Sequence, residues 1–213
     1  MSILDYFSKD ENRRAKFIFN LIAPFYGRIA KSVEENHRAS MEKLAGIIDI
    51  KGKTVLDVGS GSGAWAKLFA QYGAEKVTGI DLAEKMVKVA SEVYPEIEFF
   101  ECNGEEMRKI QDNSYDIVTA SFVLHGVKAP RRKMILEQMK RVARQYVVIR
   151  DFAGKVSLSV QILEALERSD FRNFKKNFCT EMRQVFGNCQ MYATGNNGGL
   201  YVGKVKSERS EKK

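Results

Sequence analysis

The stretch TVLDVGSGSGAWAKLF, Thr54–Phe69, carries the residues best spaced for chemistry in this 213-residue chain. An apolar run ends in Asp57 and Val58, glycines stand at positions 59, 61 and 63, and a helical pattern follows from about Ser62. Glycine lets the backbone turn tightly and approach a ligand without a Cβ in the way. The helix start offers unpaired N–H groups and a positive dipole end to a negatively charged group. The pattern predicts a turn that holds a nucleotide-like cofactor.

The turn alone fits more than one cofactor, because it also satisfies the relaxed dinucleotide pattern G-x-G-x-x-A. Asp57 argues against a dinucleotide, since its carboxylate would repel a pyrophosphate and attract an ammonium or sulfonium cation. Asp81 ends the next strand in VTGID, where it could accept hydrogen bonds from a ribose diol of either cofactor. Asn103, in ECNGEEM after the third strand, could hydrogen-bond an adenine edge.

The elements that must position these residues alternate between strand and helix. The β-branched runs are KTVLDV, KVTGI, IEFFEC, YDIVTAS and QYVVIRDF, with helical patterns between the first three and at RRKMILEQMKRVA. This alternation predicts a parallel sheet covered on both faces. After a helical stretch over 156–187, CQMYAT and LYVGKV predict an antiparallel hairpin joined by GNNGG.

Two helices are expected before the sheet, from about Arg13 to Ile22 and from about Arg28 to Ile47, with Pro24 between them. The predicted organisation is an N-terminal helical segment over 1–50 and an α/β domain over 51–205. That domain includes a helical insert at 156–187, and a disordered tail follows at 206–213.

The ordered set VLDVGSGSG, GID, NGEE and YDIVTASFVLH resembles the motifs of class I S-adenosylmethionine-dependent methyltransferases, of the type 11 or quinone-methyltransferase-like group. The resemblance covers roughly Lys51 to Asp151 by motif and the remainder by architecture. It implies a Rossmann-like α/β fold, with a seven-stranded, mostly parallel sheet, helices on both faces and a C-terminal antiparallel hairpin. It also implies S-adenosyl-L-methionine as the cofactor and S-adenosyl-L-homocysteine as the product.

The resemblance further implies how the cofactor is held. The glycine turn would wrap its methionine part, Asp57 would order the site around its amino group, and Asp81 would accept both ribose hydroxyls. Asn103 stands where the family usually has Asp. Its amide oxygen could still accept a hydrogen bond from the adenine amino group, but it carries no negative charge. The implied cofactor-binding residues are Asp57, Gly59, Ser60, Gly61, Ser62, Gly63, Asp81, Leu82, Met86, Asn103, Gly104, Ser121, Phe122 and Tyr26.

The segment FNLIAPFYGRI resembles an A-P-x-Y-D feature of relatives that act on quinones and other small acceptors. Ala23, Pro24 and Tyr26 match, and Gly27 replaces the acid. One interpretation is a lid that excludes water and aligns the reactants. The other is a helix break whose aromatic residues lie in the core.

Methyl transfer from a sulfonium needs mainly alignment, and a general base only if the acceptor must lose a proton. His125, after the fourth strand, is the candidate base, with packing or hydrogen bonding to its loop as the alternative. Asp151 could face the acceptor or cap the loop that follows it. His37, on a charged helix, is expected to be solvated.

The acceptor class stays open. A small molecule is preferred, because Phe171, Phe174 and Phe178 share one helix face that could cover a pocket or simply pack on the sheet. RNA is the alternative, since the net charge is +8 and basic residues lie near one another. Those residues are Arg131, Arg132, Lys133, Lys140, Arg141, Arg144, Arg172, Lys175 and Lys176. A third hypothesis is a catalytically inactive cofactor-binding partner subunit.

The three cysteines are far apart and lack metal-site spacing, so we expect reduced thiols and no metal. Charges interrupt the N-terminal segment where a signal peptide needs an apolar core, and no apolar run approaches the length of a membrane span. These features predict a cytoplasmic protein without membrane insertion.

Overall fold

The computed structural model describes residues 3–154, 169–195 and 197–205. The strands are β1 (Thr54–Val58), β2 (Lys76–Asp81), β3 (Glu98–Glu101), β4 (Tyr115–Ser121), β5 (Ala143–Phe152), β6 (Gln190–Thr194) and β7 (Gly198–Lys204). The helices are α1 (Glu11–Ala45), α2 (Ala64–Gln71), α3 (Glu84–Val93), α4 (Ala129–Val142) and α5 (Phe171–Phe186). Short 3₁₀ helices lie at Ile3–Phe7 and Leu124–Gly126.

The described strands form one seven-stranded sheet in the order β3-β2-β1-β4-β5-β7-β6. Strands β1 to β5 pair in parallel, and β7 runs antiparallel between β5 and β6. The predicted fold class and its C-terminal hairpin are therefore confirmed. The strand order reverses between β1 and β4, and a crevice for a ligand opens at the carboxyl ends of strands at such a point.

Two apolar layers cover the sheet, because successive side chains of a strand point to opposite faces. Leu56 and Ile149 pack on the face covered by α4 and α5. Val55 and Val148 pack on the other face, under α1 and α2. Residues of one strand that differ by two positions therefore share a face, and this rule determines which groups meet at the carboxyl edge.

The prediction of two N-terminal helices is wrong, because α1 runs unbroken from Glu11 to Ala45 with Pro24 inside it. A proline within a helix removes one backbone hydrogen bond and crowds the preceding turn. Packing outweighs that cost here, since Ala23 and Ala30 are fully buried. In addition, Oδ1 of Asn20 accepts the N–H of Lys85 at 2.9 Å, which fixes α1 to the first turn of α3.

The segment around Pro24 lies beside the end of β2. Tyr26 is half-buried against Ala83 and Met86, whereas Phe25 is 60% exposed. The interpretation as a helix break with both aromatic residues in the core is therefore wrong. A Cβ at Gly27 would lie 3.1 Å from the side chain of Val89, so the acid of the related motif would need that side chain to shift by a few tenths of an ångström. Closure of this segment as a lid stays a prediction.

Helix α5 is the described part of the insert expected over 156–187. Residues 155–168 and the predicted tail at 206–213 lie outside the described residues. Phe171, Phe174 and Phe178 are all buried on one face of α5. The rings of Phe174 and Phe178 pack on Tyr201 of β7, with centroids 6.1 and 4.9 Å from it, so this face packs on the sheet.

Candidate functional site

The glycine turn joins β1 to α2 with positive φ at each of its glycines. The φ angles of Gly59, Gly61 and Gly63 are 71°, 53° and 84°, a region that side chains rarely adopt. The N–H groups of Gly59 and Ser60 donate to the carbonyl of Ile80 at 2.7 and 2.9 Å, which ties the turn to β2. A Cβ at Gly61 would meet no atom within 4 Å. The turn is thus rigid at its base and open at Gly61.

Asp57 lies beneath this turn as a buried acid without a hydrogen-bond partner. It is 1% exposed, and neither carboxylate oxygen has a partner among the described residues. Burial raises the pKa of Asp57 to about 8, and the negative charge of Asp81 adds to the rise. The nearby N–H of Ala66 offsets only part of it and is not placed to make a hydrogen bond. The Oγ atom of Ser60, 8% exposed as a residue, also lacks a partner. A cation that reaches this carboxylate would relieve the cost of burying it.

Asp81 connects the turn to the end of β2. Its Oδ2 accepts the N–H of Gly61 at 2.9 Å, and its Oδ1 accepts the N–H of Ala83 at 2.8 Å. Burial raises its pKa, and these two donors offset part of the rise. Leu82 is half-buried next to it. Met86 is 1% exposed and packs within the apolar cluster of Ala83, so Leu82 presents more surface to a ligand than Met86.

Asn103 lies beyond the end of β3, where an adenine edge is expected. Its Oδ1 accepts the N–H of Glu105 at 3.0 Å, so the carbonyl that was expected to face adenine holds its own loop in a turn. A Cβ at Gly104 would lie 3.0 Å from the side chain of Val58. Ser62 is 4% exposed at the start of α2. The contact between Asn103 and adenine stays a prediction.

These residues fit S-adenosylmethionine. The unpaired carboxylate of Asp57 suits an ammonium group, and Asp81 at the end of β2 suits a ribose diol. The positive φ and open space at Gly61 leave room for a ligand against the backbone. An anionic pyrophosphate at the same place would face a second negative charge.

Phe122 follows β4 in a strained conformation, with φ of 53°, and its N–H donates to the carbonyl of Arg150 at 2.8 Å. Arg150, on β5, is 6% exposed. Its guanidinium carbon lies 4.6 Å from the ring centroid of Phe122 and 5.5 Å from that of Trp65. Its Nη1 donates to Oγ of Ser121 at 3.3 Å. Sequence spacing gave no signal for Arg150 or Trp65 in this site.

His37 lies over the same cluster, and the expectation that it is solvated is wrong. Its ring centroid is 6.0 Å from that of Trp65 and 6.2 Å from that of Phe122. Burial, with the nearby charge of Arg150, lowers the pKa of His37 to about 3. The imidazole is therefore neutral at physiological pH.

A signal for the burial of His37 was present in the sequence. Ala23, Ala30, His37 and Leu44 recur every seven residues along α1. The other three are fully buried, so the spacing places His37 on the inward face of the helix.

His125 and Asp151 form a hydrogen-bonded pair between the 3₁₀ turn after β4 and the end of β5. His125 Nδ1 lies 2.8 Å from Oδ1 of Asp151. Oδ2 of Asp151 accepts the N–H groups of Leu124 and His125 at 3.1 and 3.2 Å, and Oδ1 also accepts that of Phe152 at 2.8 Å. Asp151 is fully buried and its carboxylate is used on this turn, which agrees with the interpretation that it caps the loop. The imidazole is 12% exposed, with its centroid 4.8 Å from that of Phe152.

Several basic residues of the suggested RNA surface make internal bonds. The side chain of Arg132 is fully buried, with Nε 2.6 Å from Glu181 and Nη2 3.1 Å from Asp170. Arg131 pairs with Glu11 and Glu105.

Among the residues described, no helix combines the length and the apolar character needed to cross a bilayer. They also contain no group of three or more His, Cys, Asp or Glu side chains that could hold a metal ion.

Residues 55–146 match the family described as Methyltransferase domain. Residues 55–146 therefore form a methyltransferase domain, and the strand order, the hairpin and the glycine turn are those expected of the class I S-adenosylmethionine-dependent fold. The class predicted from the motifs is confirmed.

The chain is similar to curated quinone methyltransferases over part of their length. It is 42% identical over 94 residues to the ubiquinone biosynthesis O-methyltransferase of Bordetella avium, covering 42% of this chain and 38% of the relative. It is 28% identical over 143 residues to the demethylmenaquinone methyltransferase of Bacillus licheniformis, covering 64% of this chain and 60% of the relative. The chain thus matches less than two thirds of the length of each.

Among solved structures, the magnesium protoporphyrin IX methyltransferase of Synechocystis with bound S-adenosylmethionine superposes with a TM-score of 0.68. It has 18% identity, covering 94% of this chain and 99% of that one. This likeness establishes the fold.

Proposed function

We propose that this chain transfers a methyl group from S-adenosylmethionine to a small-molecule acceptor by in-line displacement. The observation that carries the proposal is the buried, unpartnered Asp57 beneath an open turn of positive-φ glycines, at the switch point of the sheet. A nucleoside that also bears a cationic amino group matches this combination of groups.

The residues of the chain would bind and orient the reactants. Asp57 would hold the ammonium group and Asp81 the ribose diol, so that the cofactor lies across the carboxyl ends of β1 and β2. The cofactor supplies a methyl group that its sulfonium already activates. Alignment of acceptor and methyl can lower a barrier by up to about 7–11 kcal/mol, so positioning is the main task of the protein.

His125 is proposed as the base for an acceptor that must lose a proton. The hydrogen bond to Asp151 would hold the tautomer that carries its proton on Nδ1, which makes Nε2 the basic atom. The acceptor oxygen would form the new bond to carbon as the sulfur–methyl bond breaks, and the acceptor proton would pass to Nε2.

An acceptor with an aromatic hydroxyl group suits the surroundings of His125. The ring of Phe152 lies near those of Phe122, His125 and Phe171, at centroid distances of 4.9, 4.8 and 5.0 Å. Such rings favour an aromatic ligand over a phosphate backbone. The similarity to a ubiquinone biosynthesis O-methyltransferase and a demethylmenaquinone methyltransferase supports the same class. The internal bonds of Arg131 and Arg132 weaken the support for RNA.

The test uses purified protein, methyl-labelled S-adenosylmethionine and a panel of catechols and hydroquinones, with total RNA as a parallel acceptor. Label in an aromatic acceptor, lost in His125→Gln while S-adenosylhomocysteine still binds, is the expected result. Label in RNA alone would replace this acceptor class with RNA. Cofactor binding without transfer to any acceptor would instead favour an inactive partner subunit.

Two further expectations stay predictions. One is that the segment around Tyr26 closes over the bound cofactor. The other is the cytoplasmic location expected from the sequence.

A further inference from the structure

Arg150 is a buried cation whose charge has no partner of equal strength. It is 6% exposed, and its Nε has no hydrogen-bond partner in the described part of the chain. Within the described part of the chain, its guanidinium makes one hydrogen bond, to Oγ of Ser121, at a long 3.3 Å. The adjacent Asp151 points to the opposite face of the sheet and uses its carboxylate on the turn of His125. A buried charge in a protein normally has a partner of opposite charge, so an unpaired buried arginine indicates a site for an anionic ligand.

The aromatic groups around Arg150 hold it in place without satisfying it. Phe122 lies over the guanidinium at 4.6 Å and Trp65 at 5.5 Å. The rings attract the cation through their faces but provide no acceptor in the plane of the N–H groups. Phe122 takes this position at φ of 53°, a conformation that is costly for a large side chain. Strain of this kind occurs where a site must be pre-organised.

A second polar atom in the same cluster also lacks a partner. Nδ1 of His37 is buried without a hydrogen bond among the described residues, and its ring lies 6.2 Å from that of Phe122. Because this imidazole is neutral, it can donate one hydrogen bond without adding a second positive charge. One planar guanidinium with a neutral donor beside it matches a single carboxylate, since the fork of N–H groups bonds two oxygens in one plane.

The position of Arg150 relates it to Asp57. Asp57 of β1 pairs in register with Thr119 of β4, which in turn pairs with Val148 of β5. Two residues further along the same face, Ser121 of β4 pairs with Arg150 of β5. Two residues along a strand span about 7 Å. An unpaired carboxylate and an unpaired guanidinium therefore stand on neighbouring rows of one sheet face, at the carboxyl edge.

We propose that Arg150, with Ser121 and His37, forms a carboxylate-binding site at this edge. This inference rests on the proposed function, because the two molecules that could supply the carboxylate are the cofactor and the acceptor of that reaction. The carboxylate belongs either to the amino-acid end of the cofactor, whose ammonium group would lie at Asp57, or to an acidic acceptor.

Calorimetric titration with two product analogues tests the cofactor as the source. S-adenosylhomocysteine carries the carboxylate, whereas 5′-methylthioadenosine lacks the whole amino-acid part. If the cofactor fills the site, Arg150→Met weakens S-adenosylhomocysteine binding by about 10- to 100-fold, as expected for a lost charge-assisted bond, and leaves methylthioadenosine unchanged. Arg150→Lys should retain part of the affinity, since it keeps the charge and loses the fork.

Titration with benzoate tests the acceptor as the source, with chloride at equal ionic strength as the blank. Trp65 is the single tryptophan of the chain, so its fluorescence reports directly on this cluster. Benzoate that binds the wild-type protein saturated with S-adenosylhomocysteine, but not Arg150→Met, would place the carboxylate on the acceptor.

The matched control is Arg144→Met, since Arg144 lies on the same strand at the opposite end of the sheet. Arg150→Met should melt no lower than the wild-type protein, because it replaces an unpaired buried charge with an apolar side chain of similar length. If Arg150→Met does not fold, Arg150→Gln replaces it in the binding measurements.

The proposal is overturned if Arg150→Met changes neither S-adenosylhomocysteine affinity nor benzoate binding. If the wild-type protein binds neither nucleoside, the proposed function fails by itself. Benzoate titration of the ligand-free protein then decides the carboxylate site: fluorescence change lost in Arg150→Met supports it, and no change refutes it.

Discussion

The Nδ1 atom of His125 lies 2.8 Å from Oδ1 of Asp151, and the second oxygen of that carboxylate holds the backbone of Leu124 and His125. One buried acid thus fixes both the turn and the orientation of its imidazole. A positioning role of this kind separates the two residues in function. In the proposed mechanism His125 would act on the acceptor, whereas Asp151 would act through His125.

We predict that His125→Gln lowers kcat by about 10²–10⁴-fold for an acceptor that must be deprotonated, because it removes the basic nitrogen. Affinity for S-adenosylhomocysteine, measured by calorimetry, should stay the same. In the pH–rate profile the limb at acidic pH should disappear. A variant that keeps its rate and its pH profile would assign His125 to packing alone.

Arg132 is predicted to stabilise the fold and not to bind a substrate. Its side chain is fully buried between α4 and α5, where it bonds Glu181 and Asp170. Arg132→Met leaves Glu181 without its partner and should reduce the free energy of unfolding by about 3–5 kcal/mol, measured in urea.

The control for that prediction is Lys133→Met, at a neighbouring position of α4. Lys133 is 64% exposed, with an ion pair at 3.8 Å to Glu137. An exposed pair of this kind contributes about 1 kcal/mol or less. Equal losses in the two variants would contradict a structural role specific to Arg132.

The sheet and the cofactor turn could be predicted because their signals are local. Strand runs alternate with helical patterns, and the glycines of the turn follow β1 directly. The continuous α1 could not be predicted from Pro24, because its stability depends on distant partners such as Ala83 and Lys85. Arg150 was missed for a similar reason. On sequence it is one charged residue in an apolar strand, and only the register with Ser121 brings it under Phe122.

His37 should make the protein less stable in acid. Its pKa in the folded protein is about 3, below the ordinary value of 6.5, so between these values the unfolded chain binds more protons. Stability is therefore lost as pH falls below about 6.5, by about 1.4 kcal/mol for each pH unit at most. Urea unfolding at mildly acidic and neutral pH should give a smaller difference for His37→Gln than for the wild-type protein. Equal differences would show that His37 is solvated in the folded state.

Asp57 should couple cofactor binding to proton release. In the ligand-free protein its pKa is raised to about 8, so at neutral pH the carboxyl group is mostly protonated. An ammonium group placed beside it favours the ionised form, and the proton leaves for the solvent. The enthalpy of S-adenosylhomocysteine binding should then differ between phosphate and Tris buffers. The difference should nearly equal the difference between the ionisation enthalpies of the two buffers, as expected when almost one proton is released.

Asp57→Asn separates this linkage from other sources of protons. The variant should release no proton and bind S-adenosylhomocysteine about 10- to 100-fold more weakly, because it loses a charge-assisted bond. It should also be more stable than the wild-type protein above about pH 8. The raised pKa means that ionising Asp57 costs stability as pH rises from its ordinary range through 8. Asp49→Asn, at an exposed acid, is the control for both measurements. Identical enthalpies in the two buffers for the wild-type protein would mean that Asp57 is already ionised and does not receive the amino group.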